Sequence, residues 1–286
     1  MASDTFSAGD ITAIIGDNAA KDNHRAGYNG LWSLTHKAEK ANLFVPAVAG
    51  LNFEHIFDGQ TLDPKGESKI FFEPRNAPME FKKISATEAE LHQAPTATFF
   101  LESWTTFKLV EPHYIDFTFR CKPTQHAFKR GYIGLFWASY INAPDDKSMY
   151  LRGKTSWLQH CTPAHNALST VLHEKESFEM TFARDHRDTL YMNFSPLKFE
   201  LPLFYGMFRE MTAIVMFDRT EGIRLAHSPS GGGFEAMRQT SNPAWDFQFV
   251  LPKYDVNTEY GFQGRLVYRP KCSREEVHKE YESWKK

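Results

Sequence analysis

A chain of 286 residues with 33 basic and 35 acidic side chains has a formal net charge of −2, and with it no electrostatic footprint for a polyanion. It shows no basic stripe, no zinc-finger spacing and no run of five like charges, which argues against the usual nucleic-acid binders. The three cysteines, Cys121, Cys161 and Cys272, lie in unrelated contexts and argue against a disulfide framework and for a reducing compartment.

The first residues, MASDTFSAGDITAIIGDN, lack the basic and apolar regions of a secretory signal. No apolar run approaches the roughly 18 residues a membrane helix needs. The expectation is a soluble, cytoplasmic protein with no membrane partner. Ile11 to Ile15 reads as a short strand, closed by the turn cluster Gly16-Asp17-Asn18. A second strand is expected over Leu31 to Leu34. A third lies within Leu43 to Phe57, with a bulge near Gly50, because a glycine inside a strand pattern often marks one. Turns are expected at Asp58-Gly59 and over Asp63-Pro64-Lys65-Gly66.

From Lys69 the pattern becomes a meander: Ile70 to Phe72, Met79 to Ile84, Glu88 to His92, Ala97 to Val110 and His113 to Cys121. The last alternates, with Ile115, Phe117, Phe119 and Cys121 on one face and Tyr114, Asp116, Thr118 and Arg120 on the other. Such alternation marks a sheet with one buried face. Further strands are read at Tyr132 to Ile141, Ser156 to Cys161, Thr170 to His173, Phe178 to Ala183 and Leu190 to Phe194. Ala213 to Phe217, Ile223 to Ala226, Trp245 to Leu251 and Glu259 to Tyr268 complete the set. The Gly231-Gly232-Gly233 run has no helical pattern after it and reads as a loop rather than a phosphate cradle. At the end, Ser273-Arg274-Glu275-Glu276 is a capping box, and Val277, Tyr281 and Trp284 form one apolar stripe. The fold class is therefore all-β: a large two-sheet antiparallel β-sandwich, supersandwich-like, with a C-terminal α-helix. It is read as a single domain over 1–286, with 273–286 the helix packed on it.

Aromatic residues make up 15% of the chain, with 25 Phe, 11 Tyr and 6 Trp, which suits strands and supplies platforms for ring-shaped ligands. No P-loop, dinucleotide fingerprint, HExxH or GxSxG motif is present, so nucleotide, standard zinc-hydrolase and serine-hydrolase chemistry is disfavoured. The polar-rich stretch Asn52-Phe53-Glu54-His55-Ile56-Phe57-Asp58 offers an acid and an imidazole for general acid–base work. In a regular strand Glu54 and His55 point to opposite faces, so a bulge is needed to bring both to one pocket. His227, at a strand end beside the glycine run, and Asp246 are the other catalytic candidates. Expected substrate-binding groups are Asn52, Arg75, Arg120, Trp137, His160, Trp245, Gln248 and Arg265, a mixture of amides, guanidinium and indole that suits polyols. No cofactor is assigned. A metal, if bound, is expected at His160, His165 and His173.

The opening hairpin AGYNGLWSL, the strand ending in LNFEHIFDG and the long aromatic strands after it resemble the galactose-mutarotase-like β-supersandwich superfamily. That superfamily includes aldose 1-epimerases and the sandwich domains of several polysaccharide lyases and glycosidases. The resemblance implies a carbohydrate-active enzyme, an epimerase, lyase or glycoside-cleaving protein, working by acid–base chemistry on a small-molecule sugar or glycoside. In its epimerase pattern His227 would play the acid and Asp246 the base, where the pattern has a glutamate. The alternative is a carbohydrate-binding protein without turnover. The oligomeric state is left open.

Overall fold

The computed structural model describes residues 2–63, 70–187, 189–229 and 241–285. The expected turn at residues 64–66, the glycine run at 231–233 and Lys286 lie outside them. The chain begins with β1 (Ser3–Ala8), β2 (Ile11–Gly16) and β3 (Gly30–His36), an antiparallel three-stranded sheet. The first of these strands has no counterpart among the sequence expectations. β4 (Asn52–Phe57) follows, and then a 3-10 turn over Ile70–Phe72 running into the one-turn helix α1 (Glu73–Asn76). Ile70 to Phe72 was expected as strand; Pro74 in the first turn of α1 suits a helix start instead.

A meander of β5 (Glu80–Lys83), β6 (Glu88–Gln93), β7 (Leu101–Val110) and β8 (Tyr114–Pro123) comes next, followed by β9 (Ile133–Ala138). Then come β10 (Met149–Arg152), β11 (Trp157–His160), β12 (Thr170–His173), β13 (Phe194–Phe199), β14 (Leu203–Phe208) and β15 (Met211–Phe217). β16 (Ile223–Ser228), β17 (Ala244–Leu251), β18 (Tyr260–Pro270) and helix α2 (Arg274–Trp284) complete the fold. Phe178 to Ala183, expected as a strand, is instead part of a strap, described over 174–187 and 189–193, whose one regular piece among the described residues is a 3-10 turn at Arg184–His186.

Two large sheets result. One has nine strands in the order β11-β10-β14-β15-β18-β8-β7-β6-β5, and the other six in the order β13-β12-β16-β17-β9-β4. Among the described residues all strand pairings are antiparallel except β12 with β13. The inner faces meet in a core rich in aromatics. Trp137 of β9 stacks between Phe53 of β4 and Phe247 of β17, at 5.0 and 4.9 Å, and takes the edge of Phe119 from β8 at 4.7 Å. Ile115, Phe117, Phe119 and Cys121 all belong to this core, as their alternation predicts. Outside the nine-stranded sheet, Val277 and Tyr281 of α2 pack on Leu203, Tyr205, Ile214, Met216 and Val267. Both halves of the capping box form: Ser273 Oγ accepts from the Glu276 amide, and Glu276 accepts from the Ser273 amide. All three cysteines are free. No helix of the described residues is long and apolar enough to cross a membrane.

Every residue of β4, β9, β16 and β17 is buried, because the outer face of the six-stranded sheet is covered too. The cover comes from Phe71 and Phe72 next to α1 and from Leu190 and Tyr191 of the strap. The strap is tied down by the Ala183 amide to Gly59 O, the Leu62 amide to Asp185 and the Tyr132 hydroxyl to Thr181 O. The candidate site lies under this cover.

Candidate functional site

The site is built on a β-bulge. Phe53 pairs with Trp137 and His55 pairs with Phe136, so Glu54 is an extra residue in β4 with no partner of its own in β9. The bulge sits at Glu54 rather than at Gly50. It resolves the alternation problem: Phe53 enters the inter-sheet core, while His55 and Glu54 both serve the outer face.

Asn29 holds the bulged strand in place. Its amide group exchanges hydrogen bonds with the Phe53 backbone at 3.1 and 2.8 Å, and its backbone N–H donates to Asn52 Oδ1 at 3.0 Å. Asn52 Nδ2 is thereby turned to donate to Glu54 Oε2 at 3.0 Å. Tyr140, just beyond β9, donates its hydroxyl to the same oxygen at 2.5 Å. Arg75 Nη1 and His55 Nε2 face Glu54 Oε1 at 3.2 and 3.4 Å. The Arg75 guanidinium lies over Tyr28 at 4.2 Å, and it fits there because Gly27, at φ +90°, has no side chain to press on it.

Burial alone would raise the Glu54 carboxyl, but the hydrogen bond from His55, the Arg75 charge and the Tyr140 hydroxyl outweigh it and bring it down to about 2. Glu54 is therefore an anion although only 5% exposed.

His55 sits in an aromatic cage. It stacks on Phe136 at 4.8 Å and meets Phe71 and Phe72 edge-on at 4.5 and 4.7 Å. Its Nδ1 contacts the Tyr191 hydroxyl. Burial and the charges of Glu54 and Asp246 push Tyr191 well above its usual value, so it stays protonated and donates. With Nδ1 as acceptor, the imidazole proton is on Nε2, facing Glu54.

Asp246 of β17 lies on the same outer face. Burial chiefly, with a contribution from the Glu54 charge, raises its carboxyl well above the ordinary range, against the lowering effect of the Ser139 amide that donates to it at 3.1 Å. The site thus combines an ionised carboxylate paired with an imidazole and a separate carboxyl of raised proton affinity. Splitting proton affinities in this way lets one pocket hold both an acid and a base. A solvent opening of about 290 Å³, lined by Ala26, Gly27, Phe72, Arg75 and Asn76, reaches the Arg75 end.

Of the residues expected at a site, Asn52, Glu54, His55, Arg75, Asp246 and Gln248 come together here. The others do not. His227 is inward-facing and 0% exposed; Nε2 donates to Lys147 O at 2.9 Å and Nδ1 accepts from Thr162 at 2.9 Å. Both ring nitrogens are used to pin loops, and the ring cannot act as the acid. Trp137 and Trp245 are both 2% exposed in the inter-sheet core, Trp245 lying over Gly206, where a side chain would collide with its ring. Neither can stack on a sugar. Arg120 pairs with Glu259 at 3.2 Å and Arg265 forks onto Asp116 at 2.5 and 2.9 Å, both on the outer face of the nine-stranded sheet. His160 is buried and donates to Ser169 O at 3.0 Å. Sequence reasoning missed Tyr140, Tyr191, Phe71 and Phe72. Tyr191 reaches His55 across 136 positions, and no local pattern announces that contact.

His160, His165 and His173 do not form a ligand cluster. Among the described residues one trio of possible ligands approaches within 4.8 Å: Asp10, His36 and His113. It suits a cation poorly. His36 Nδ1 accepts from the Ala38 amide at 3.0 Å, which places the imidazole proton on Nε2, and Asp10 already pairs with Lys37 at 3.3 Å.

His227 carries a pH prediction. Burial first, offset in part by its bond to Lys147, takes the imidazole down to about 4. A depressed imidazole binds fewer protons folded than unfolded, so stability is full above about pH 6.5 and is lost as pH falls toward 4. Urea midpoints at pH 7 and pH 4.5 are expected to differ by about 2–3 kcal/mol in unfolding free energy, with His24, His160 and His186 acting in the same direction. In His227→Gln the acid limb should flatten; an unchanged limb would remove His227 as its main source.

No protein-family model and no curated protein matches the chain. Solved structures do. A galactose mutarotase related enzyme from Lactobacillus acidophilus superposes with a TM-score of 0.55 at 10% identity, over 94% of this chain and 100% of that one. A mutant heparan sulfate lyase from Pedobacter heparinus matches with a TM-score of 0.53 at 10% identity, over 95% of this chain and 36% of that one. An α-N-acetylgalactosaminidase from Bifidobacterium bifidum, in complex with GalNAc, matches with a TM-score of 0.54 at 10% identity, over 98% and 38%. The chain spans the full length of the first and little more than a third of the other two. By backbone superposition over nearly its whole length, this chain has the galactose-mutarotase-like β-sandwich fold.

Proposed function

We propose that this chain is a carbohydrate-active enzyme that moves protons on a sugar or glycoside, by epimerisation, elimination or glycoside cleavage. The observation that supports this most is the pairing of Asp246, a buried carboxyl of raised proton affinity, with the Glu54–His55 dyad on one sheet face. In this reading Asp246 gives a proton to a ring or leaving oxygen. The Tyr191 hydroxyl takes one as it passes its own to His55 Nδ1, with Glu54 holding the imidazole tautomer and stabilising the imidazolium that forms. Asn52 and Arg75 orient Glu54, and the rings of Phe72 and Tyr28 beside the opening offer apolar carbon to a sugar face. The fold shared with sugar-handling proteins adds support of a general kind.

A second reading, sugar binding without turnover, has one observation in its favour. Both Glu54 oxygens already have protein partners, as a purely structural anion would. Proton NMR in D2O over aldoses, uronic acids and glycosides separates the two readings, because turnover exchanges or eliminates a carbon-bound proton or frees an anomer. Asp246→Asn is expected to lower turnover about a hundredfold with binding retained, the ordinary size for losing a general acid. Equal turnover in the variant would remove Asp246 from the mechanism. Binding without any turnover in the parent protein would favour the second reading.

A further inference from the structure

Beside Asp246, on the same covered sheet face, two buried side chains are left with unfilled hydrogen-bonding atoms. Arg224 is 1% exposed and its Nε is unpartnered; Gln248 is 0% exposed and its Oε1 is unpartnered. They are direct cross-strand neighbours, and the next pair on the same face of these two strands is Ala226 with Asp246. The Gln248 orientation is determined by its surroundings. The Thr170 hydroxyl donates to Leu190 O at 2.9 Å, so it must accept from Gln248 Nε2 at 3.0 Å, and Oε1 is turned to the empty side. Arg224 has its remaining nitrogens on the strap. Nη2 donates to Glu176 at 3.2 Å and to Phe178 O at 3.1 Å, and Nη1 contacts Met180 Sδ at 3.4 Å.

A buried guanidinium needs an anion, and the one it has reaches it from the strap through a single nitrogen. The Nε and Nη2 edge of a guanidinium is a flat fork that fits a planar carboxylate through two parallel bonds. Glu176 fills half of that fork. An unfilled donor on Arg224 and an unfilled acceptor on Gln248 ask for a carboxylate with a hydroxyl next to it, which is the arrangement on a sugar acid. There is room for the strap to yield: a cleft of about 560 Å³ borders Glu176 and Phe178.

We propose that Arg224 and Gln248 form an acidic-sugar subsite, and that Glu176 occupies it as a built-in placeholder until a substrate carboxylate displaces it. The proposal rests on the carbohydrate reading above and narrows it to saccharides bearing a carboxylate. Arg224 is here a specificity residue, and the strap is the element that moves.

Calorimetric titration of galacturonate and of galactose into the parent protein, Glu176→Gln and Glu176→Gln/Arg224→Gln tests it. The double variant avoids leaving Glu176 buried without its cation, which Arg224→Gln alone would do. In Glu176→Gln the affinity for galacturonate should rise about tenfold, the size of one charge-assisted hydrogen bond, with galactose unchanged. In the double variant the preference for the acid should vanish. If Glu176→Gln binds the two sugars alike, or the double variant keeps the preference, the subsite is overturned while the carbohydrate reading stands. If no variant binds either sugar or any longer uronide or glycoside, the carbohydrate reading fails and the subsite with it.

Discussion

Glu54→Ala is expected to destabilise the protein by about 3–5 kcal/mol and to abolish turnover, the usual outcome when one member of a buried ion pair is removed. The physical reason lies in what remains. Asn52, Tyr140 and His55 would each keep a buried donor aimed at an empty space, and the Arg75 guanidinium would lose its counter-ion. Arg75 keeps 21% of its side-chain surface and can recover some hydration through the opening beside it, which favours the lower part of that range. The pH dependence has a definite sign. Glu54 is held below its unfolded value, so its contribution is complete above about pH 4.5 and is lost as pH falls toward 2. Glu54→Gln adds a sharper readout. Because the Glu54 charge helps to raise Asp246, removing it should lower the Asp246 carboxyl, seen directly by carbon NMR of the aspartate side chain. Urea denaturation of Glu54→Ala within 1 kcal/mol of the parent would mean that the dyad is not the organising centre of this face.

How much of this is legible in the sequence depends on which faces are wet. β7 and β8 alternate cleanly because one face of the nine-stranded sheet meets solvent there, and their limits are close to those read from the pattern. β4, β9, β16 and β17 are buried on both faces, so their sequences carry no alternation to say which way a side chain points. This is why Trp137, Trp245 and His227 were expected at the site and are found in the inter-sheet core. The same ambiguity favoured Glu54 and His55, whose shared face depends on one extra residue that composition does not reveal. Phe178 to Ala183 was expected as a strand. Its Phe178, Met180 and Phe182 side chains cover the six-stranded sheet from outside instead, on a segment held by tertiary hydrogen bonds to 59–62.

The cover gives the site its character. Phe71, Phe72, Leu190 and Tyr191 exclude water from the dyad, which strengthens each electrostatic contact beneath them. On the carbohydrate reading proposed above, a sugar-sized ligand would have to part the segment at 70–76 from the strap. A site with this construction couples substrate entry to a local opening, and turnover would then be limited by that motion as much as by proton transfer.

Trp137→Ala separates a core tryptophan from a ligand platform. Its ring is stacked on both faces, by Phe53 and Phe247, and bordered by the edges of Phe119 and Phe262 at 4.7 and 5.3 Å. Truncation leaves a cavity between two sheets whose backbones are fixed by ladders on either side, so the gap cannot collapse. The expected loss is about 3–5 kcal/mol, as for other large aromatic truncations in rigid cores. For a chain of this length that is a fall in melting temperature of about 5–8 °C. Phe53 immediately precedes the Glu54 bulge, so loosening this stack should also weaken the site, reducing turnover in proportion to lost order rather than raising the KM for one sugar. A platform on the ligand side would behave oppositely, with stability kept and affinity lost. A melting temperature within 2 °C of the parent, together with a weakened sugar affinity, would move Trp137 out of the core and into the pocket.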